Sequence, residues 1–252
     1  MSRAGAVMLA AVAAVLAVCG SGRVAAQPRA ESREVRQLVT FRFLPGQTGA
    51  VIDLYRDALM PIYRGIESMR TVRGFSEVES PEPLDLMVVT HYTDMAAMDR
   101  ANLDLRRLPP DGPTIAQLYR QIADLSFSHH DQFVEVISPP EIAPTPDGLL
   151  EVLEFVRLRA GAAAVFERQM LDVVHPWEQD QAMRGVIVRS ETARFLIADG
   201  WDYLRTYAVR DLAAWQAYTA ARARHPATFT TEGAIEQRKT MILREIADLR
   251  VR

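Results

Sequence analysis

The chain has 252 residues, 49% hydrophobic and 24% charged, which supplies a packed core and excludes a disordered or fibrous protein. Lys plus Arg number 29 against 32 Asp plus Glu, so the net charge of −3 gives no field to gather nucleic acid or an anionic membrane surface. Lys239 is the only lysine, and the arginines are scattered rather than gathered into a basic run.

Residues 1–26 read as an export signal. Arg3 gives a positive start, Ala4 to Val18 is an uncharged apolar run too short for a comfortable membrane span, and Val24-Ala25-Ala26 offers the small side chains a signal peptidase needs. Cleavage is expected after Ala26, with lipoprotein processing at Cys19 ranked second because Val18 is branched where a small residue is usual. The mature chain loses Arg3 and Arg23, keeping 27 basic and 32 acidic residues, and it loses its one thiol. No later stretch reaches a membrane-spanning length, so a soluble periplasmic or secreted protein is expected.

The mature chain repeats itself. Thr40 to Gly46 is echoed by Phe155 to Gly161, Phe41 and Val156 being 115 residues apart, and the same spacing carries Pro61 onto Pro176. Asp85 to Ala97 is echoed by Asp202 to Ala214 at 117 residues. The boundaries follow: a first unit over 27–138, a connector over 139–148 with four prolines that favour an extended chain, and a second unit over 149–252.

Each unit reads in one order. Val35 to Leu44 and Leu150 to Arg159 alternate as strands. Each leads into a helix with an apolar stripe, Val51, Tyr55, Ala58, Leu59 and Ile62 in the first unit and Phe166, Met170, Val173, Val174 and Trp177 in the second. Pro61 and Pro176 are expected to bend or stop the last turns. Two strands follow, Gly74 to Ser80 with Leu86 to Tyr92, and Gly185 to Ser190 with Tyr203 to Val209. Asp94 and Asp211 are placed to cap the helices Met95 to Leu105 and Leu212 to Arg222. A last helical segment, Thr114 to Leu125 or Glu232 to Met241, precedes a last strand at Gln132 to Ile137 and a segment at Ile242 to Val251 that fits strand or helix. The order βαββαβ is a ferredoxin-like α+β unit with one bare sheet face, and two tandem units packed sheet to sheet would bury both faces.

These residues resemble the dimeric α+β barrel superfamily, and within it the NIPSNAP-like proteins. The likeness rests on Leu44-Pro45-Gly46, Leu59-Met60-Pro61-Ile62, Val88 to Asp94, Trp201 to Val209 and Trp215-Gln216-Ala217-Tyr218. It implies an intramolecular dimeric α+β barrel. It also implies a superfamily holding cofactor-free monooxygenases, haem-dependent enzymes and proteins of no assigned activity.

Motifs for nucleotide hydrolysis, zinc proteolysis and α/β-hydrolase chemistry are absent from the sequence. No catalytic residue is assigned and no metal or cofactor is expected, with haem the alternative. His175, before Pro176-Trp177, is the candidate axial ligand that the haem-binding relatives imply. Arg42 and Arg157 sit in register on the two first strands and would favour an anionic ligand if that face looks inward. His91 on the third strand fits either a general base or a buried, bonded histidine. The adjacent His129 and His130 precede a strand and cannot share a metal, and His225 is expected to face solvent. All three tryptophans lie in the second unit, Trp215 as core and Trp177 and Trp201 as candidate walls of a ligand pocket. The expected function is binding of a small hydrophobic or anionic molecule; the alternative is a cofactor-free or haem-dependent oxygenase. A homo-oligomer is an open partner, whereas nucleic acid is not expected.

Overall fold

The computed structural model describes residues 33–107, 113–138, 148–197 and 200–251. The expected export signal and the connector apart from Gly148 lie outside the described residues.

The first half runs β1 (Val35–Phe43), a helical run α1 over 48–64, β2 (Thr71–Glu79), β3 (Leu86–Tyr92), α2 (Met95–Leu105), α3 (Ile115–Leu125) and β4 (Ser126–Val136). The second half runs β5 (Leu150–Leu158), a helical run α4 over 163–183, β6 (Arg189–Ile197), β7 (Tyr203–Val209), α5 (Leu212–Arg222), α6 (Pro226–Ala234) and β8 (Ile235–Val251). Corresponding elements have equal lengths for β1 and β5, β2 and β6, β3 and β7, and α2 and α5, so positions can be equated one by one.

The eight strands close into an antiparallel barrel in the order β1-β3-β2-β8-β5-β7-β6-β4. Within each half the order is last-first-third-second, the ferredoxin-like arrangement expected from the sequence. The two sheets also join edge to edge, β2 to β8 and β4 to β6, so the bare faces become one enclosed interior without free sheet edges at these junctions. Leu38, Phe75, Met87, Val134, Leu153, Phe155, Leu204, Met241 and Leu243 fill that interior, while the opposite strand faces pack against the helices. Gly74 lets β8 come close, because a Cβ there would meet the Leu249 Cβ at 2.6 Å.

Several boundaries differ from the sequence expectation. Neither proline ends its helix. A π-helical turn, Tyr55–Leu59 or Met170–Val174, precedes each, and the Met60 and His175 amides bond back to Tyr55 and Met170. The proline then falls in the first turn of a resumed α-helix, where its missing donor costs little. The expected strand Gly185 to Ser190 is instead Arg189–Ile197, since Gly185 turns the chain at φ +72°. The helix expected over Glu232 to Met241 ends at Ala234, and Ile235 begins a 17-residue strand whose pairing to both β5 and β2 overrides local helix propensity. β4 starts at Ser126, so His129 and His130 lie within a strand rather than before it.

Candidate functional site

Two layers lie between the sheets and the helices, and their chemistry differs. In the first half Val39, Tyr63, Val88, Ala101 and Leu105 belong to one apolar cluster. The equivalent positions in the second half hold Glu154, Glu178, Arg205, Tyr218 and Arg222, all buried.

Glu178, on α4, is only 1% exposed and accepts hydrogen bonds from Arg205 Nη2 and Tyr218 Oη, with Tyr207 Oη at 3.4 Å. Glu154, on β5, accepts from Arg222 Nη1 at 2.8 and 2.9 Å and from Tyr207 Oη at 3.2 Å, with Arg205 Nη1 at 3.6 Å. Burial alone would raise the Glu154 pKa, but Arg222, Arg205 and Arg238 overcome it and hold the carboxyl at about 2. Burial drives the Tyr207 and Tyr218 phenols above their usual range, so both remain donors. The Tyr207 hydroxyl stands between two carboxylates and can give its one proton to only one at a time. Two carboxylates against two guanidiniums leave the set neutral, which is what makes its burial tolerable.

An aromatic wall continues outward from this cluster. Trp215 and Tyr207 have ring centroids 5.1 Å apart, Trp177 and Tyr218 5.7 Å, and Trp177 and His225 4.7 Å. His225 is therefore half-buried against a ring rather than facing solvent as expected. Beside it an open cleft of about 340 Å³ is lined by Gln169, Val173, His225, Pro226 and Thr230. Gln169 Oε1 is buried there without a hydrogen-bond partner among the described residues.

His175 lies in the middle of α4, not at its end, and is 3% exposed. Its Nε2 is 3.2 Å from Gln179 Nε2, and its Nδ1 has no partner among the described residues. Burial lowers its pKa. Trp177 shares the helix and does not line the cleft, touching only its His225 wall.

The other candidates do not converge on one cavity. The strand face carrying Arg42 and Arg157 does look inward, but both residues sit at the barrel mouth. Arg42 is exposed with its guanidinium 5.5 Å from the Phe127 ring centroid, and Arg157 lies 5.3 Å from that of Trp201 and bonds the Gly200 carbonyl. Trp201 packs edge-on to Phe155 at 5.8 Å. His91 is at the opposite end, its Nδ1 3.1 Å from Glu34 Oε1. Burial and the Arg36 charge push its pKa down to about 4, against the pull of Glu34. It lines an interior cavity of about 30 Å³ with Arg36, Arg73, Glu151 and Arg189. That volume suits about one water molecule.

Sequence reasoning missed Glu154, Glu178, Arg205, Tyr218 and Arg222. A signal existed: Glu154 and Arg205 interrupt the apolar sides of strands whose flanking residues, Val152 and Val156 or Tyr203 and Tyr207, are buried.

No protein-family model matches the sequence, and no curated protein matches it. Solved structures do. A candidate monooxygenase from Lactobacillus acidophilus aligns with a TM-score of 0.61 and 10% identity over 87% of this chain and 96% of its own. The fold is that of the dimeric α+β barrels. An anthrone oxidase-like protein gives 0.59 at 11% identity, covering 86% of this chain and 92% of its own. A mutant chlorite dismutase from Candidatus Nitrospira defluvii in complex with cyanide gives 0.53 at 11%, covering 85% and 92%. At such identities the likeness is one of architecture, and the dimeric α+β barrel here supplies a scaffold whose chemistry must be read from its own side chains.

Proposed function

We propose that this protein is exported and binds a small, largely apolar molecule in the second half, in the cleft between α4 and α6. The observation that carries this reading is the confinement of buried charge and of tryptophan to the second helix–sheet layer, where the equivalent positions in the first half carry no charge. Val173, Pro226 and the His225 ring give the cleft flat apolar walls, and Gln169 Oε1 supplies an acceptor awaiting a donor. The NIPSNAP-like resemblance and the periplasmic or secreted location belong to this reading.

Anilinonaphthalene sulfonate, a flat hydrophobic anion, tests it. Its fluorescence is expected to rise with the wild-type protein and to stay low with Val173→Arg, a change at an exposed position that leaves the core intact. Equal signals from both proteins, or none from either, would count against the cleft.

A haem-dependent or cofactor-free oxygenase is the second reading, favoured by the unpartnered Nδ1 of His175 and by the fold. In the described arrangement His175 does not fit an axial ligand: its Nε2 is engaged near Gln179, and it does not line the cleft. A Soret shift on haem titration that disappears in His175→Ala would reverse that judgement.

A further inference from the structure

Two buried ion pairs cross between the halves at one end of the barrel interior. Arg36 on β1 reaches over β4 to Glu191 on β6, with Nη1···Oε2 at 2.9 Å and Nη2···Oε1 at 2.6 Å. Arg73 on β2 reaches over β8 to Glu151 on β5, with Nη1···Oε1 at 2.7 Å. The equal element lengths make Arg36 equivalent to Glu151 and Arg73 equivalent to Glu191. The two bridges are thus one structural position seen twice, with the signs exchanged. Both cations come from the first half and both anions from the second.

We propose that this charge distribution is a pairing code, by which the first-half sheet accepts only a second-half sheet, whether from its own chain or from a second copy that exchanges halves. The apolar interior does not discriminate: Leu38 is equivalent to Leu153, and Met87 to Leu204, so hydrophobic burial would allow like halves to pair. The charges forbid it. Two first halves would set Arg36 against Arg73, and two second halves would set Glu151 against Glu191, in an interior whose cavity holds about one water.

The neighbouring ionisable groups do not undo the code. In the first half Glu34 already accepts from Arg36 Nε and lies beside His91 and Arg70. In the second, Arg189 donates to Glu151 at 2.8 Å and stands 3.7 Å from Glu191, while Glu245 takes a bidentate contact from Arg73 and lies 3.6 Å from Arg250. All three of these carboxylates take bonds from first-half arginines, and in a like pairing Glu151 and Glu191 would be left to Arg189 and Glu245 to Arg250.

The test reverses one half at a time in the full chain. One variant carries Glu34→Arg, Arg36→Glu and Arg73→Glu; the other carries Glu151→Arg, Arg189→Glu, Glu191→Arg and Glu245→Arg. Each alone is expected to lose the monomer peak in light scattering. Co-expressed with different tags, or refolded together from guanidinium if insoluble, they are expected to co-purify one to one at twice the chain mass, because each half then finds its complement on the other chain. A single chain carrying all seven changes retains each attraction between the halves with signs exchanged, losing flanking contacts within each half such as Glu34–Arg70 and Glu245–Arg250, and is expected to return to a monomer. Reversed chains that stay monomeric with wild-type Tm would overturn the code. So would failure of the sevenfold chain to fold, or failure of the mixed chains to pair while the sevenfold chain folds.

Discussion

Val39, Tyr63, Val88, Ala101 and Leu105 in the first half stand where Glu154, Glu178, Arg205, Tyr218 and Arg222 stand in the second, on elements of the same lengths and connection. Removing an ion from water costs several kcal/mol even after relaxation, and an apolar layer of similar volume is generally as stable or more so. The first half demonstrates that this scaffold closes without buried ions between sheet and helices. The proposed binding function gives those of the second half a role other than folding, in the open cleft and aromatic wall beside them.

The largest expected effect breaks this contrast from one side. Glu178→Ala strands the Arg205 guanidinium and the Tyr218 hydroxyl in a dry layer and is expected to cost about 3–5 kcal/mol by urea denaturation. Replacing the whole set with its first-half counterparts, Glu154→Val, Glu178→Tyr, Arg205→Val, Tyr218→Ala and Arg222→Leu, together with Tyr207→Phe because that hydroxyl would lose Glu154, Glu178 and Arg222, leaves no stranded charge. That variant is expected to be neutral or up to about 4 kcal/mol more stable. A loss as large as that of Glu178→Ala would mean that the ions hold the second half together and would remove the argument for function.

One group in each half gives a separate acid response. His91, in the first half, has a folded pKa of about 4 against an ordinary 6.5, so the unfolded chain binds its proton more readily. Its contribution is complete above pH 6.5 and is lost as pH falls toward 4, on the order of 3 kcal/mol at most. Glu154 in the second half has a folded pKa of about 2 against 4.5, so its contribution is present above pH 4.5 and lost as pH falls toward 2. Stability measured against pH should lose its slope between 6.5 and 4 in His91→Asn and between 4.5 and 2 in Glu154→Gln. An unchanged slope in either variant would show that the titration belongs to other groups.

Much of this fold was legible because its rules are local. Alternation found β1 and β5, and a carboxylate before an Ala-rich stretch located the starts of α2 and α5 at Met95 and Leu212. The long β8 was not legible, because Ile235 to Met241 is held as strand by a partner 77 to 88 residues earlier in the chain, β5. The ion networks were hidden for the same reason: Arg36 meets Glu191, 155 residues away, and nothing near Arg36 announces it. Arg42 and Arg157 were conspicuous by matching in register, yet each is the last residue but one of its strand and so lies at the barrel mouth.

The smallest expected effect is the control on the comparison. Asp94 Oδ1 accepts the Ala97 amide at 2.6 Å, and Asp211 Oδ1 accepts the Ala214 amide at 2.8 Å, both from an extended backbone at φ −169° and −161°. The two caps satisfy the same orphan donor at the same place in each half. Asp94→Ala and Asp211→Ala should each cost about 1 kcal/mol in urea unfolding and should agree within about 0.5 kcal/mol. Agreement would mean that the halves share their backbone energetics and differ only in what fills the layer. A clear disagreement would place the asymmetry in the scaffold itself, and the buried charges of the second half would then compensate a local weakness instead of marking a site.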